Sequence, residues 1–480
     1  MSPACRAARW SSLGLVVLCG LGGCTTGRDY KRPEIMAAAH WRTGPAGPGS
    51  LADLGWWELF GDPVLQELIR TALDENKDLR LAVARVAEAR AQLGVARASQ
   101  FPQLDGQASY TNQRFSQRSF PFDTFPGTID PQEDFYRTSL DLTFELDLWG
   151  RLRRATEAAR ADLLASEDNQ RTVVTTLISD VAQGYFDLLE LDREADIDRR
   201  TLESRRASLD LVRRRLEEGL TSELDLRRAE GELATAAAAV PDVERRIGQT
   251  ENRLSILLGR NPAPVPRGTA LDGQTTLPTI PAGLPSDLLE RRPDIRQAEQ
   301  GLVAANARVG AAKAEFFPRI SLTGMFGVES VALSDLFTGP ARVWQVGPAM
   351  TVPIFNAGRI ASNLRATEAR AQQVLIQYQQ TIQEAFREVD DALLFHQKAQ
   401  EIRRAREQRV TTAQRTQVLA TLRYENGLAG YLDVLDAERQ LLAAEIDLAA
   451  TTRDQLTAVV QVYKALGGGW QPLPATGNGE

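Results

Sequence analysis

The chain is written twice. The residues Glu218-Gly219-Leu220 recur as Asn426-Gly427-Leu428, and Asp225, Glu230 and Leu233 recur as Asp433, Glu438 and Leu441, at an offset of 208. Upstream, Gly94-Val95-Ala96 and Phe101-Pro102 recur as Gly310-Ala311-Ala312 and Phe317-Pro318, now at an offset of 216. The slip lies between Phe101 and Gly150, so the first copy carries a longer connection there. A repeated chain is one structural unit used twice. Two copies are too few for a solenoid, which points to a ring or barrel of pseudo-symmetric halves.

The N-terminus reads as an export signal. Arg6 and Arg9 precede a short apolar run from Leu13 to Leu21, too short to span a bilayer. Its end, Leu21-Gly22-Gly23-Cys24, resembles a bacterial lipobox, in which the cysteine thiol takes a diacylglyceryl group and multiple chains give a stable anchor. Cys5 and Cys19 leave with the signal, so Cys24 is expected to be the one mature cysteine. Removal of Arg6 and Arg9 takes the formal net charge from −7 to −9. No basic stripe marks a nucleic-acid surface. Beyond the signal no segment is apolar enough for a transmembrane helix, so any membrane crossing must use a β-barrel.

Residues 24–61 read as a Gly/Pro-rich linker holding Trp41, Trp56 and Trp57. Repeat 1 covers 62–261 and repeat 2 covers 286–469, with a connecting, equatorial segment at 262–285 and a tail at 470–480. Asp62-Pro63 opens a helical stretch to about Gln100. The period then changes to two. From Tyr136 to Leu148 one face holds Leu140, Leu142, Phe144, Leu146 and Leu148, the other Ser139, Asp141, Thr143, Glu145 and Asp147. Such alternation fits a strand with lipid on one side and a polar lumen on the other. Its partner lies near 103–115. Copy two repeats the pattern from Ile320 to Val328 and from Trp344 to Ile354. Two hairpins, about 103–148 and 319–354, make about four strands. Four strands cannot close a barrel, and an open edge is not viable in hydrocarbon. Either the strands pack on a soluble core or several chains pool them, and three chains would supply 12.

After Gly150-Arg151 a helical pattern continues to Glu218, about 100 Å at 1.5 Å per residue. Gly219 breaks it, and Ser222, with Asp225 three residues on, restarts a helix as a capping box that ends at Gly259 before Pro262. Leu202, Leu209, Val212 and Leu216, and Leu226, Ala229, Leu233, Ala236 and Val240, are coiled-coil seams, echoed by Val434, Ala437, Leu441, Ala444 and Leu448. Pro241 stands where copy two has Ala449, which predicts a kink. Laid end to end, two shorter helices match each long one, with the glycine turns at one end of a long cylinder and the strands at the other.

These residues resemble the outer membrane factor family, the TolC-like proteins of tripartite efflux and secretion systems, and most closely its NodT-type lipoprotein branch. The motifs are Tyr424-x-x-Gly427-Leu428, Tyr431-Leu432-Asp433-Val434-Leu435-Asp436-Ala437 and Lys464-Ala465-Leu466-Gly467-Gly468-Gly469-Trp470. The resemblance implies an α+β membrane protein, a homotrimer whose protomers share a 12-stranded transmembrane β-barrel continued by a periplasmic α-helical barrel. It implies an exit duct for drugs or other small molecules, with a periplasmic adaptor and an inner-membrane RND-type pump as partners. Asp433 and Asp436 match carboxylates that ring the periplasmic constriction, and Leu432 matches an adjoining apolar ring. Tyr424 and Asp225 match a hydrogen-bonded link between inner and outer coiled coils. The arginine that reinforces this link in one branch falls at Ala429 and is missing. Gly219-Leu220-Thr221 and Gly427-Leu428-Ala429 match tips that meet the adaptor.

Enzyme chemistry has no foothold. His40 falls in the linker, His396 reads as a surface histidine on a charged helix face, and no CxxC, HExxH, GxSxG or phosphate loop occurs. The carboxylates read as surface salt-bridge patterning among Arg and Lys. Neither a cofactor nor a metal is expected. Two rivals within reach are a type I secretion duct for proteins and a lipid-anchored periplasmic scaffold without a channel.

Overall fold

The computed structural model describes residues 25–34, 40–42, 49–116, 118, 132–274, 280–283 and 285–470. The signal segment, Cys24 and the tail beyond Trp470 lie outside them. Two compact units are present, and neither coincides with a sequence repeat. Each draws on both copies, because the copies pair strand to strand and helix to helix.

The duplication is explicit in the elements. Helix α1 (Pro63–Glu75) is followed by α2 (Lys77–Ala98), strands β1 (Gln103–Arg114) and β2 (Gln132–Leu146), α3 (Arg151–Glu217) and α4 (Glu223–Leu257). Copy two supplies α5 (Pro293–Ala314), β3 (Arg319–Ser330), β4 (Arg342–Thr351), α6 (Arg359–Glu425) and α7 (Tyr431–Ala465). The long helices α3 and α6 both have 67 residues, and α4 and α7 both have 35. Helix α4 passes through Pro241 without interruption.

The expected single helix from Asp62 to Gln100 is instead two. Asn76 takes extended backbone between α1 and α2. Its Oδ1 accepts from the Leu79 N–H (2.9 Å) and its Nδ2 donates to the Leu257 carbonyl (2.9 Å). One side chain thus caps α2 and ties the break to the end of α4.

In the unit built from residues 1–33, 87–165 and 298–377, the sheet is an antiparallel meander in the order β1-β2-β3-β4. Directly opposed residues share a face. One face runs Leu104–Leu142–Gly324–Val346, then Gly106–Leu140–Phe326–Trp344, with Leu146–Ile320–Met350 nearer the helices. The other carries Asp105, Asp141, Thr143, Thr323, Glu145 and Ser321. Leu140, Phe326, Trp344, Val346 and Met350 are exposed. The outer edges of β1 and β4 have no strand partner among the described residues. Beneath the sheet, Ala158 and Ala161 of α3 meet Ala304 and Ala307 of α5, small residues that let the helices approach closely. The segment after position 24 is fastened here: Thr26 Oγ1 donates to the carbonyls of Trp149 and Gly310, both at 3.0 Å. A Cβ at Gly310 would stand 2.9 Å from the Thr26 carbonyl oxygen, which reserves that position for glycine.

The second unit holds residues 34–86, 166–297 and 378–480. Its core includes Ile178, Val181, Tyr185 and Leu188 of α3 and Leu456, Val460 and Tyr463 of α7, all buried. The linker tryptophans are pins. Trp56 is buried, and the buried Trp41 indole donates to the Gly283 carbonyl (3.0 Å). Asp62 caps α1 and gathers the equatorial segment, its carboxylate accepting from Val64 N–H, Tyr185 Oη, Thr269 N–H and Gln274 Nε2 at 2.8 to 3.0 Å. Burial opposes its charge, but these bonds outweigh that and hold the carboxyl below its ordinary range.

Candidate functional site

The two long hairpins of the second unit converge at their turns. At both tips the helix ends in a Schellman motif. Gly219 N–H donates to the Leu216 carbonyl (2.9 Å) and Leu220 N–H to Arg215 (2.8 Å). In copy two Gly427 N–H donates to Tyr424 (3.0 Å) and Leu428 N–H to Arg423 (2.8 Å). Gly219 and Gly427 sit at φ +73° and +70°, a left-handed conformation costly for any side chain. Leu220, Leu224 and Leu428 are exposed, and Thr221 is half-buried. The sequence-predicted tip residues therefore do form two matching, apolar turns.

Helix restarts differ between the copies. Ser222 caps α4, its Oγ accepting from Asp225 N–H (3.3 Å), and the Asp225 carboxylate accepts from the Ser222 and Thr221 hydroxyls, both at 2.9 Å. Asp225 is partly buried, and these bonds with Arg228 nearby overcome that burial and keep its carboxyl below its ordinary range. In copy two Gly430 occupies the cap position, and the Asp433 carboxylate reaches back to its N–H (3.2 Å).

Between the hairpins lies one cluster, with Leu209 and Val212 of α3, Ala229 of α4, Tyr424 of α6, and Tyr431, Val434 and Leu435 of α7. The Tyr424 and Tyr431 rings meet at 5.5 Å, and the Arg215 guanidinium lies 4.7 Å from the Tyr424 ring centre, a cation–π contact. The expected Tyr424–Asp225 link is not made. Asp225 is occupied by Thr221, Ser222 and Arg228. The Tyr424 hydroxyl is buried with no hydrogen-bond partner among the described residues.

Opposite the cluster, α7 presents Leu432, Asp433 and Asp436 on an exposed face. The i, i+4 spacing of Leu432 and Asp436 stacks them one turn apart, and Asp436 accepts from Gln440 (2.6 Å). The candidate gate residues thus share a face, while Tyr424 belongs to the packing behind it.

The reading of all carboxylates as surface charges fails one turn further along. Arg205 of α3 is buried; it pairs with Glu438 of α7 and, at 3.5 Å, with Glu232 of α4. Arg439 closes on Glu232 (Nε at 3.0 Å), and Ser208 Oγ donates to Glu438 (3.4 Å). Burial is the largest influence on Glu438 and pushes its carboxyl above the ordinary range, against the pull of Arg205. The signal was present, since Glu438 recurs with Glu230, but no pattern told which copy was buried. His396 is likewise buried, not a surface residue, with its Nε2 3.3 Å from Gln400 Nε2. Among the described residues no group of three or more His, Cys, Asp or Glu is placed to hold a metal ion, and no helix is long and apolar enough to cross a membrane.

Long paired coiled coils, duplicated tips and an open four-stranded sheet with one apolar face define a protomer of outer-membrane duct architecture. The chain belongs to the outer membrane efflux protein family, whose model matches residues 68–260 and 284–468. It is 40% identical over 471 residues to the solvent efflux pump outer membrane protein SrpC of Pseudomonas putida, covering 96% of this chain and 99% of that protein. It is 36% identical over 464 residues to the cation efflux system protein CusC of Escherichia coli, covering 96% and 98%. Among solved structures the outer-membrane channel OprN superposes with a TM-score of 0.85 at 33% identity, over 94% of this chain and all of that one. The protein is an outer-membrane efflux exit duct.

Proposed function

We propose that three copies pool their strands into a 12-stranded barrel, anchored by acyl chains on Cys24, and pass small molecules delivered by a periplasmic adaptor and an inner-membrane RND-type pump. The observation that carries this reading is the sheet itself, with one continuous apolar face and two edges that have no strand partner among the described residues. A single copy in lipid would strand those edge groups, whereas a closed ring satisfies them. The duct performs no reaction; it supplies a path. Solvents and cations, the cargo classes named for SrpC and CusC, set the range of compounds to test.

Leu432, Asp433 and Asp436 form the gate in this reading. Repeated by threefold symmetry across a narrow neck, the carboxylates repel one another and attract cations. The apolar turns at Gly219-Leu220-Thr221 and Gly427-Leu428 meet the adaptor, which binds the splayed form better and so shifts the population toward it. Neutralising the face while keeping its hydrogen bonds, with Asp433→Asn and Asp436→Asn together, should raise single-channel conductance in planar bilayers and reduce cation preference. Unchanged traces would remove these residues from the gate. Cys24→Ser should abolish palmitate labelling, and persistent labelling would refute the anchor.

A further inference from the structure

The segment after position 24 marks one side of the helices beneath the sheet. The Arg28 carbonyl accepts from Asn306 Nδ2 (3.0 Å), Arg154 pairs with Asp29 (2.7 Å), and Tyr30 Oη donates to Glu299 (3.1 Å). With about 3.6 residues per turn, Glu299, Asn306 and Gly310 form one side of α5, and Arg308, Ala312 and Glu315 form the other. On that far side Arg151 of α3 donates to Glu145 (2.7 Å), which belongs to the polar face of the sheet. A chain anchored through Cys24 keeps the first side outward, so the far side continues the polar, lumenal face.

A groove of about 690 Å³ runs along the far side between α3, α5 and α6. Its apolar lining is mostly alanine, including Ala155 and Ala158 of α3 and Ala305 and Ala312 of α5. Short side chains leave room for the body of a ligand against the helices. The charges around it are nearly all engaged. Arg308 pairs with Asp162 (2.5 Å), Arg151 with Glu145, and Glu315 accepts from Asn363 Nδ2 (3.5 Å). The remaining lining charge is Arg370 of α6, which is exposed and has no carboxylate partner among the described residues.

Resting on the pooled-barrel reading, we propose that this groove is a lumenal binding site for amphiphilic organic anions, a carboxylate or sulfonate on an apolar body. The anionic head takes the Arg370 guanidinium through two parallel N–H···O bonds, and the body lies along the alanines, where its burial is favourable. An organic cation would find both groove carboxylates occupied. A small inorganic anion would leave the alanine lining in water and gain only the exposed charge. The site adds an anionic cargo class on the wall of a duct whose neck, with Asp433 and Asp436, attracts cations.

Full-length protein in nanodiscs, titrated with para-trifluoromethylbenzoate and with its uncharged amide, tests the site by fluorine NMR, with empty nanodiscs as the control. The benzoate should bind about tenfold more tightly than the amide, and Arg370→Gln should abolish that preference while Arg370→Lys keeps part of it. Ala155→Leu, which narrows the groove, should weaken both probes alike. A benzoate preference unchanged in Arg370→Gln overturns the site. Acetate competing as well as the benzoate also overturns it, because charge alone would then suffice. In planar bilayers the benzoate should reduce the wild-type current and leave that of Arg370→Gln unchanged. Arg370-dependent binding without block of a conducting sample overturns the lumenal placement. A sample with the mass of one subunit and no current overturns the pooled barrel, and the lumenal placement with it, whatever the probes bind.

Discussion

The two hairpins share one backbone plan and solve different packing problems. Helices α4 and α7 have equal length and equivalent glycine stops, yet six residues of α4 are buried against seventeen of α7. Helix α4 is therefore a peripheral brace and α7 a core element. The divergence follows from that. Glu438 meets buried Arg205, whereas at the position equivalent to Arg205 copy two has Ala413. Glu230, the counterpart of Glu438, pairs with the exposed Arg227 at 3.0 Å. Duplication fixes the backbone; burial decides which copy of a residue carries energy.

The two hairpins should differ most at the paired glutamates. Glu438→Ala leaves buried Arg205 with only its 3.5 Å contact to Glu232 and should cost about 3 kcal/mol, the low end for losing a buried partner, against less than about 1 kcal/mol for Glu230→Ala, both read from unfolding in detergent. Equal costs would erase the distinction between brace and core. The tips test what the copies still share. Gly219→Ala and Gly427→Ala should each cost about 1 kcal/mol, and a large difference would show that the turns have diverged. Pro241→Ala, which installs the residue type of copy two, should restore a helical hydrogen bond and gain about 1 kcal/mol, raising the midpoint. A loss would mean that Pro241 fits a required bend. The smallest effect is pH-dependent. The Asp225 carboxyl lies below its unfolded value near 3.9, so its contribution is present above that pH and disappears as pH falls through the lower folded value. Asp225→Asn should lower stability slightly at neutral pH and leave it nearly unchanged in strong acid, which flattens the acid limb of the stability curve; an unaltered acid limb would dissociate Asp225 from the cap.

Much of this was legible in the sequence, because period and repetition are written locally. Alternation from Leu140 to Leu146 located β2, and Gly219 and Gly427 located the tips. The break at Asn76 has its signal in the repeat, although a single helix from Asp62 to Gln100 is the simpler reading of the period. At the offset of 216, Asn76-Lys77 falls on Arg292-Pro293, and a proline there must open a helix. Tertiary placement was not legible. Helical spacing leaves Arg205 and Glu438 indistinguishable from surface pairs, and a Tyr424–Asp225 bond requires knowing that Thr221 and Ser222 already occupy the carboxylate. His396 follows the same rule, since helical spacing alone does not reveal that it is buried.

An open-edged sheet becomes a duct only by pooling. Native mass spectrometry of the detergent-purified full-length chain, with the same sample reconstituted in a planar bilayer, tests it most directly. Three subunits and discrete ionic currents are expected. A single subunit that passes no current would contradict it.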